Sequence, residues 1–127
     1  MSTENRQQKT IVFAEDDRDI ARLVRFKLER EEFKVTYFPD GEGVVDAISQ
    51  TMPDIVLLDI MMPVQDGISI LKEMKGNPET APIPVVILSA KGQEKDVVKG
   101  LELGASDYIA KPFAPSELIA RIKRILS

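Results

Sequence analysis

Residues Ile55 to Leu58 read Ile-Val-Leu-Leu, follow Pro53-Asp54, and run without a break into Asp59. A short, continuous apolar run bracketed by turn formers is how a strand buried on both faces of a parallel sheet reads. This constrains the chain more than any other stretch, because helices must then cover both faces of that sheet. It also puts Asp59 at a strand's carboxyl end, the edge where open α/β sheets bind ligands. Taken alone, Asp59 reads equally well as a cap of the following turn. Its companions elsewhere in the chain separate the two readings.

Thr10 to Ala14 is a second short apolar run, and Glu15-Asp16-Asp17 follows it directly. From Asp19 to Glu29 the residues Ile20, Leu23, Val24 and Leu28 recur at helical spacing among charges, which predicts a first helix with those four inward. Phe33 to Phe38 alternates Lys34 and Thr36 against Phe33, Val35 and Tyr37, as suits a strand near a sheet edge. Pro39-Asp40-Gly41 closes it, and Glu42 to Thr51 is expected to be a weaker helix carrying Val44, Val45 and Ile48. After Asp59, a loop over Ile60 to Gly67 leads into a helix through about Lys75 bearing Ile68, Leu71 and Met74. Gly76-Asn77-Pro78 stops that helix, since proline cannot continue it.

Pro84 to Leu88 is another uninterrupted apolar strand, ending at Ser89-Ala90. Gln93 to Leu103 is predicted helical with Val97, Val98 and Leu101 inward, closed by Gly104. Ser106 to Ala110 is the last strand and runs into Lys111-Pro112-Phe113. Pro115 opens a final helix whose stripe is Leu118, Ile119, Ile122, Ile125 and Leu126. Five strands alternating with five helices imply parallel strands joined by right-handed crossovers, an α/β fold in three layers. Residues 1–9 are expected to form a mobile polar tail and residues 10–127 the domain.

At 127 residues the chain has one domain's worth of core. A net charge of -4 argues against broad electrostatic binding to nucleic acid or to an anionic membrane, so neither is expected as a direct partner. With no Cys and no His there is no thiol nucleophile, no imidazole base and no zinc site of the usual ligand types. Any chemistry must come from carboxylates, hydroxyls, Lys, Arg or an oxygen-ligated metal. The polar start, Met1 to Lys9, and the absence of a long apolar run lead to the expectation of a cytoplasmic protein.

In a parallel sheet all carboxyl ends lie on one edge, so Glu15 and Asp16, Asp59, Ser89 and Lys111 should converge. Singly, each has a bland reading as cap, turn hydroxyl or solvated charge. Together they suit phosphate chemistry. Carboxylates crowded into one pocket repel each other, and a divalent cation relieves that cost. Hard oxygen donors favour Mg²⁺. An ionised Asp59 could then attack phosphorus as a covalent nucleophile, with Ser89 donating to one phosphoryl oxygen and Lys111 neutralising another.

On these residues the chain resembles the receiver domain of two-component response regulators, the class of the bacterial chemotaxis regulator. The resemblance covers about Thr10 to Ser127. It rests on Glu15-Asp16-Asp17, on Asp59 with Met62-Pro63 and Asp66-Gly67, on Ser89-Ala90, and on Tyr108 with Lys111-Pro112-Phe113. It implies a (βα)5 sandwich whose five-stranded parallel sheet has the flavodoxin-like order 2-1-3-4-5. It makes Asp59 the phosphoacceptor, served by a sensor histidine kinase, a phosphotransfer protein or a small phosphodonor. It assigns Mg²⁺ to Asp16 and Asp59 through their carboxylates, to Met61 through its backbone carbonyl and to Glu15 through a water, leaving Asp17 outside. It implies a cis Lys111-Pro112 bond and a switch pair, Ser89 and Tyr108, acting on the face made by the helix from Gln93, the last strand and the final helix. A downstream protein target or effector would read that face.

The resemblance further implies a signalling protein rather than an enzyme, phosphorylating and dephosphorylating only itself. Glu102, Asp107, Glu117 and Arg121 resemble the salt-bridging face through which receivers attached to winged-helix domains dimerise. Val97 stands where that pattern expects Arg or Lys, which leaves a homodimer and a solvated charged face both open. A phosphatase of the haloacid dehalogenase class would need a second Asp where Met61 stands, together with a cap domain. A flavodoxin-like flavin carrier would need a phosphate cradle where Glu15-Asp16-Asp17 would repel one. A degenerate receiver that only binds is opposed by the intact Asp16, Asp59 and Lys111.

Overall fold

The computed structural model describes residues 8–127; the expected tail therefore lies, through residue 7, outside the described residues. Five strands, β1 (Thr10–Ala14), β2 (Lys34–Phe38), β3 (Ile55–Asp59), β4 (Val85–Ser89) and β5 (Asp107–Ala110), alternate with five helices. The helices are α1 (Arg18–Arg30), α2 (Val44–Thr51), α3 (Gly67–Gly76), α4 (Glu94–Glu102) and α5 (Pro115–Leu126). All strand pairs are parallel and the order is β2-β1-β3-β4-β5, as the resemblance implied.

Alternation along the strands divides the core into two layers. Val12, Ala14, Val56, Leu58, Val85 and Ile87 point toward α2, α3 and α4, meeting Ile48, Leu71 and Val97 among others. Ile11, Phe13, Ile55, Leu57, Val86 and Leu88 point the other way, onto Val24 and Leu28 of α1 and Leu118 and Ile122 of α5. Strands β3 and β4 are buried along their whole length, the consequence of helices on both faces. β2 lies at one edge and keeps its alternating exposure.

Two helical faces differ from the expectation. In α4, Val97 and Gly100 face the sheet while Val98 and Leu101 are 55% and 41% exposed. Gly100 carries no apolar signal, yet it lets the helix approach so closely that an added Cβ would stand 2.2 Å from Ile87 Cδ1. In α1, Ala21 occupies the inward position beside Val24 and Leu28, and Leu23 is turned to the outside. α5 buries Leu118 and Ile122, with Ile119, Ile125 and Leu126 only partly covered. The start of α2 also moves, from the expected Glu42 to Val44, because Gly43 sits in the left-handed region at φ 77°.

Asp17 caps α1, accepting hydrogen bonds from the backbone N–H groups of Asp19 and Ile20 at 3.0 and 3.1 Å. Asp66 caps α3 through Ser69 N–H at 2.8 Å. Between β3 and α3 the exposed Val64 has φ +73°, a region that a β-branched residue enters only with strain. Replacing it with Asn, which tolerates this conformation and forfeits little burial, is expected to raise stability by about 0.5–1 kcal/mol in urea unfolding. A loss of stability would mean that the Val64 side chain makes a contact worth more than the strain.

Candidate functional site

The parallel register carries β1, β3 and β4 to one edge. Glu15 and Asp16 leave β1, and Asp59 ends β3, where its partner on β4 is Leu88. Glu15 and Asp59 are buried, Asp16 is exposed, and one carboxylate oxygen from each lies within 4.8 Å of the others. Lys111, just past β5, reaches back across the edge. Its Nζ lies 2.8 Å from Glu15 Oε1 and 3.1 Å from Asp59 Oδ1, and donates to Glu15 Oε2 at 3.0 Å. The Lys111-Pro112 peptide bond is cis.

The electrostatics follow from this crowding. Burial, then a hydrogen bond and the negative charge of Glu15, push the Asp59 carboxyl up to about 8, with Lys111 pulling only partly the other way. Burial alone would lower the Lys111 ammonium, but its hydrogen bonds to Glu15 and Asp59 and their charges hold it above its ordinary value. Glu15 Oε1 is fully buried and, although near Lys111, lacks a hydrogen bond of good geometry. An oxygen-only donor set, carboxylates that repel each other, and an unsatisfied buried carboxylate oxygen are together consistent with a divalent-cation site.

The remaining expected residues fall around this cluster. Ser89 is buried at the end of β4, and its carbonyl accepts from Lys111 N–H at 2.7 Å. Met61 is in the loop two residues beyond Asp59, its side chain outside the core. Tyr108, 41% exposed, lies on the edge strand β5 and lines a groove with Ser89, Val97 and Leu101 rather than packing into the site. On the same flank Arg121 pairs within the chain, with Asp107 and Glu117 each at 3.1 Å.

Two residues to which sequence reasoning gave no role at the site support it. Tyr37 donates its hydroxyl hydrogen bond to the Glu15 carbonyl at 2.6 Å, and its ring packs against Phe13 at 5.7 Å. Gly67 brings the start of α3 against the backbone of Asp59. The Asp-Gly pair after the strand was a signal for Gly67; Tyr37 had none beyond being an aromatic on an edge strand.

Comparison with known proteins bears on this arrangement. A family model described as the response regulator receiver domain matches residues 11–123. The chain belongs to that family. It is 43% identical over 118 residues to the phosphate regulon transcriptional regulatory protein PhoB of Escherichia coli (strain K12), covering 93% of this chain and 52% of that protein. The chain thus spans about half the length of the curated relatives it matches. Among solved structures it is similar to the Francisella response regulator 1452 receiver domain, with a TM-score of 0.84 and 34% identity over 94% of this chain and 97% of that one. It is also similar to the BeF3-activated N-terminal receiver domain of Klebsiella pneumoniae RstA, with a TM-score of 0.83 and 35% identity over 93% and 98%. This is therefore a receiver domain of a two-component response regulator. No helix among the described residues of the receiver is long and apolar enough to cross a membrane.

Proposed function

We propose that this receiver accepts a phosphoryl group on Asp59 from a sensor histidine kinase, a phosphotransfer protein or a small phosphodonor. The observation that carries the reading is a buried strand-end carboxylate set between an acidic pair and a lysine 3.1 Å away. An Asp59 oxygen attacks phosphorus, a new O–P bond forms, and the bond to the donor breaks with its electron pair leaving on the donor. The nucleophile has no proton to lose once ionised, so no general base is needed.

The carboxylates of Asp16 and Asp59, the Met61 carbonyl and, through a water, Glu15 would hold Mg²⁺. When bound, the ion would supply the positive charge that favours ionised Asp59, which otherwise keeps its proton up to about pH 8. Lys111 neutralises charge on a phosphoryl oxygen, and Ser89, at the neighbouring strand end, donates to another. Movement of Ser89 toward the phosphoryl group opens space behind it for the Tyr108 ring, now exposed, to turn inward. That alters the α4-β5-α5 face that a downstream partner would read. In this reading the protein acts on no substrate but itself.

The RstA receiver is a BeF3-activated structure, and the same probe should act here. Incubation with a small acyl phosphate and Mg²⁺ is expected to add one acid-labile phosphoryl group by intact mass. EDTA or Asp59→Asn should abolish the adduct. An adduct that forms equally in the Asn variant would reject Asp59 as the acceptor.

A further inference from the structure

The outer flank of α1 holds a second feature with no part in this chemistry. Arg18, Arg22, Arg25 and Glu29 follow one another at spacings of four and three residues, so they lie along one stripe of the helix. That stripe, with Ala21, Phe26 and the Tyr37 ring of the edge strand, lines a cleft of about 350 Å³. The small side chain of Ala21 leaves the depth, and Tyr37 forms one wall. The Arg25 guanidinium lies over the Tyr37 ring at 5.2 Å, and its Nε is buried with no hydrogen-bond partner. Among the described residues, no carboxylate lies within ion-pair distance of Arg18, Arg22 or Arg25, and none of the three donates a side-chain hydrogen bond.

Like charges three and four residues apart on a helix repel, and a fold has no structural need to line them up beside a cavity. The protein is acidic overall, so this basic stripe is a local departure from its net charge of -4. Guanidinium groups present planar forks of N–H donors that match phosphate oxygens, and one buried donor here is unmatched. A cleft of this size suits a small ligand rather than a flat protein face. The geometry points to a binding site for a small anion carrying a diphosphate group, with the Phe26 ring at the rim beside it.

Inorganic pyrophosphate titrated into the metal-free protein, followed by NMR, is expected to give saturable shifts from Arg18 to Phe26 and at Tyr37, with Kd below about 1 mM. Arg22→Glu, on the exposed side of the helix, should weaken binding at least tenfold at an unchanged thermal midpoint, and Arg22→Gln by less. Adenosine diphosphate forms the second arm. Tighter binding than pyrophosphate that Phe26→Ala removes assigns the site to a nucleotide; equal binding assigns it to the diphosphate alone. The site is overturned by shifts confined to the acidic cluster or by binding that survives Arg22→Glu. Saturation by a poly-glutamate peptide with no response to pyrophosphate would equally overturn it, and would make the stripe a protein-docking surface.

Discussion

Replacing Asp59 with Asn is expected to raise the thermal midpoint of the metal-free receiver by roughly 5–10 °C at pH 8. The carboxyl is buried beside Glu15, which pushes its pKa in the folded protein up to about 8. In the unfolded chain it ionises near pH 4. Between those values the unfolded state releases its proton while the folded state retains it. The folded state therefore binds more protons, and stability falls as pH rises from about 4 to 8. Asn keeps the shape and a hydrogen-bond donor without this cost. Its advantage should be full at pH 8 and shrink toward nothing below about pH 4, where the carboxyl of the native sequence is protonated in both states. Millimolar Mg²⁺ should narrow the difference by stabilising the native protein alone. Thermal melts of both proteins across this range, in EDTA and in Mg²⁺, provide the measurement. A difference that does not change with pH, or an Asn variant less stable than the native protein, would show that Asp59 is not strained by its neighbours.

That an acidic site exists at all was legible in the sequence because two physical rules carry over without a structure. Continuous apolar runs such as Ile55 to Leu58 report burial on both faces, and a parallel sheet puts every carboxyl end on one edge. Glu15, Asp16, Asp59, Ser89 and Lys111 could therefore be brought together before any coordinate was known, and they do lie at that edge. The faces of the helices were less legible. Side-chain hydrophobicity put Val97, Val98 and Leu101 inward on α4; Val97 does face the sheet, but its companion there is Gly100 rather than Val98 or Leu101, since a glycine permits close approach. The same bias favoured Leu23 over Ala21 in α1. Tyr37 was hidden for another reason. Its bond to the Glu15 carbonyl depends on the pairing of Phe13 with Tyr37 across β1 and β2, and register is a property of two strands that neither segment states alone. Nor could spacing say which way the Tyr108 ring points, because an edge strand offers it both a groove and solvent.

Gly67→Ala is expected to cost about 3 kcal/mol or more, although Ala is the better helix former. Gly67 is the first residue of α3, and its N–H donates to the Ile60 carbonyl at 2.8 Å. An added Cβ would stand 2.2 Å from the Asp59 carbonyl oxygen and 3.2 Å from Ile60 Cα. These are backbone atoms, so no rotamer change relieves the clash. Either α3 must withdraw or the end of β3 must shift, and β3 is held by hydrogen bonds to its neighbours on both sides. A shift of β3 moves Asp59 relative to Lys111, so phosphoryl acceptance should fall along with stability. Gly100→Ala is the internal comparison: its added Cβ meets the flexible end of Ile87, and a cost of about 1 kcal/mol is expected because that side chain can turn aside. Urea unfolding of the two variants separates backbone from side-chain obstruction. Equal, small losses would show that the β3–α3 loop is loose enough to yield, and with it the idea that Asp59 is positioned by close packing against α3 would fall.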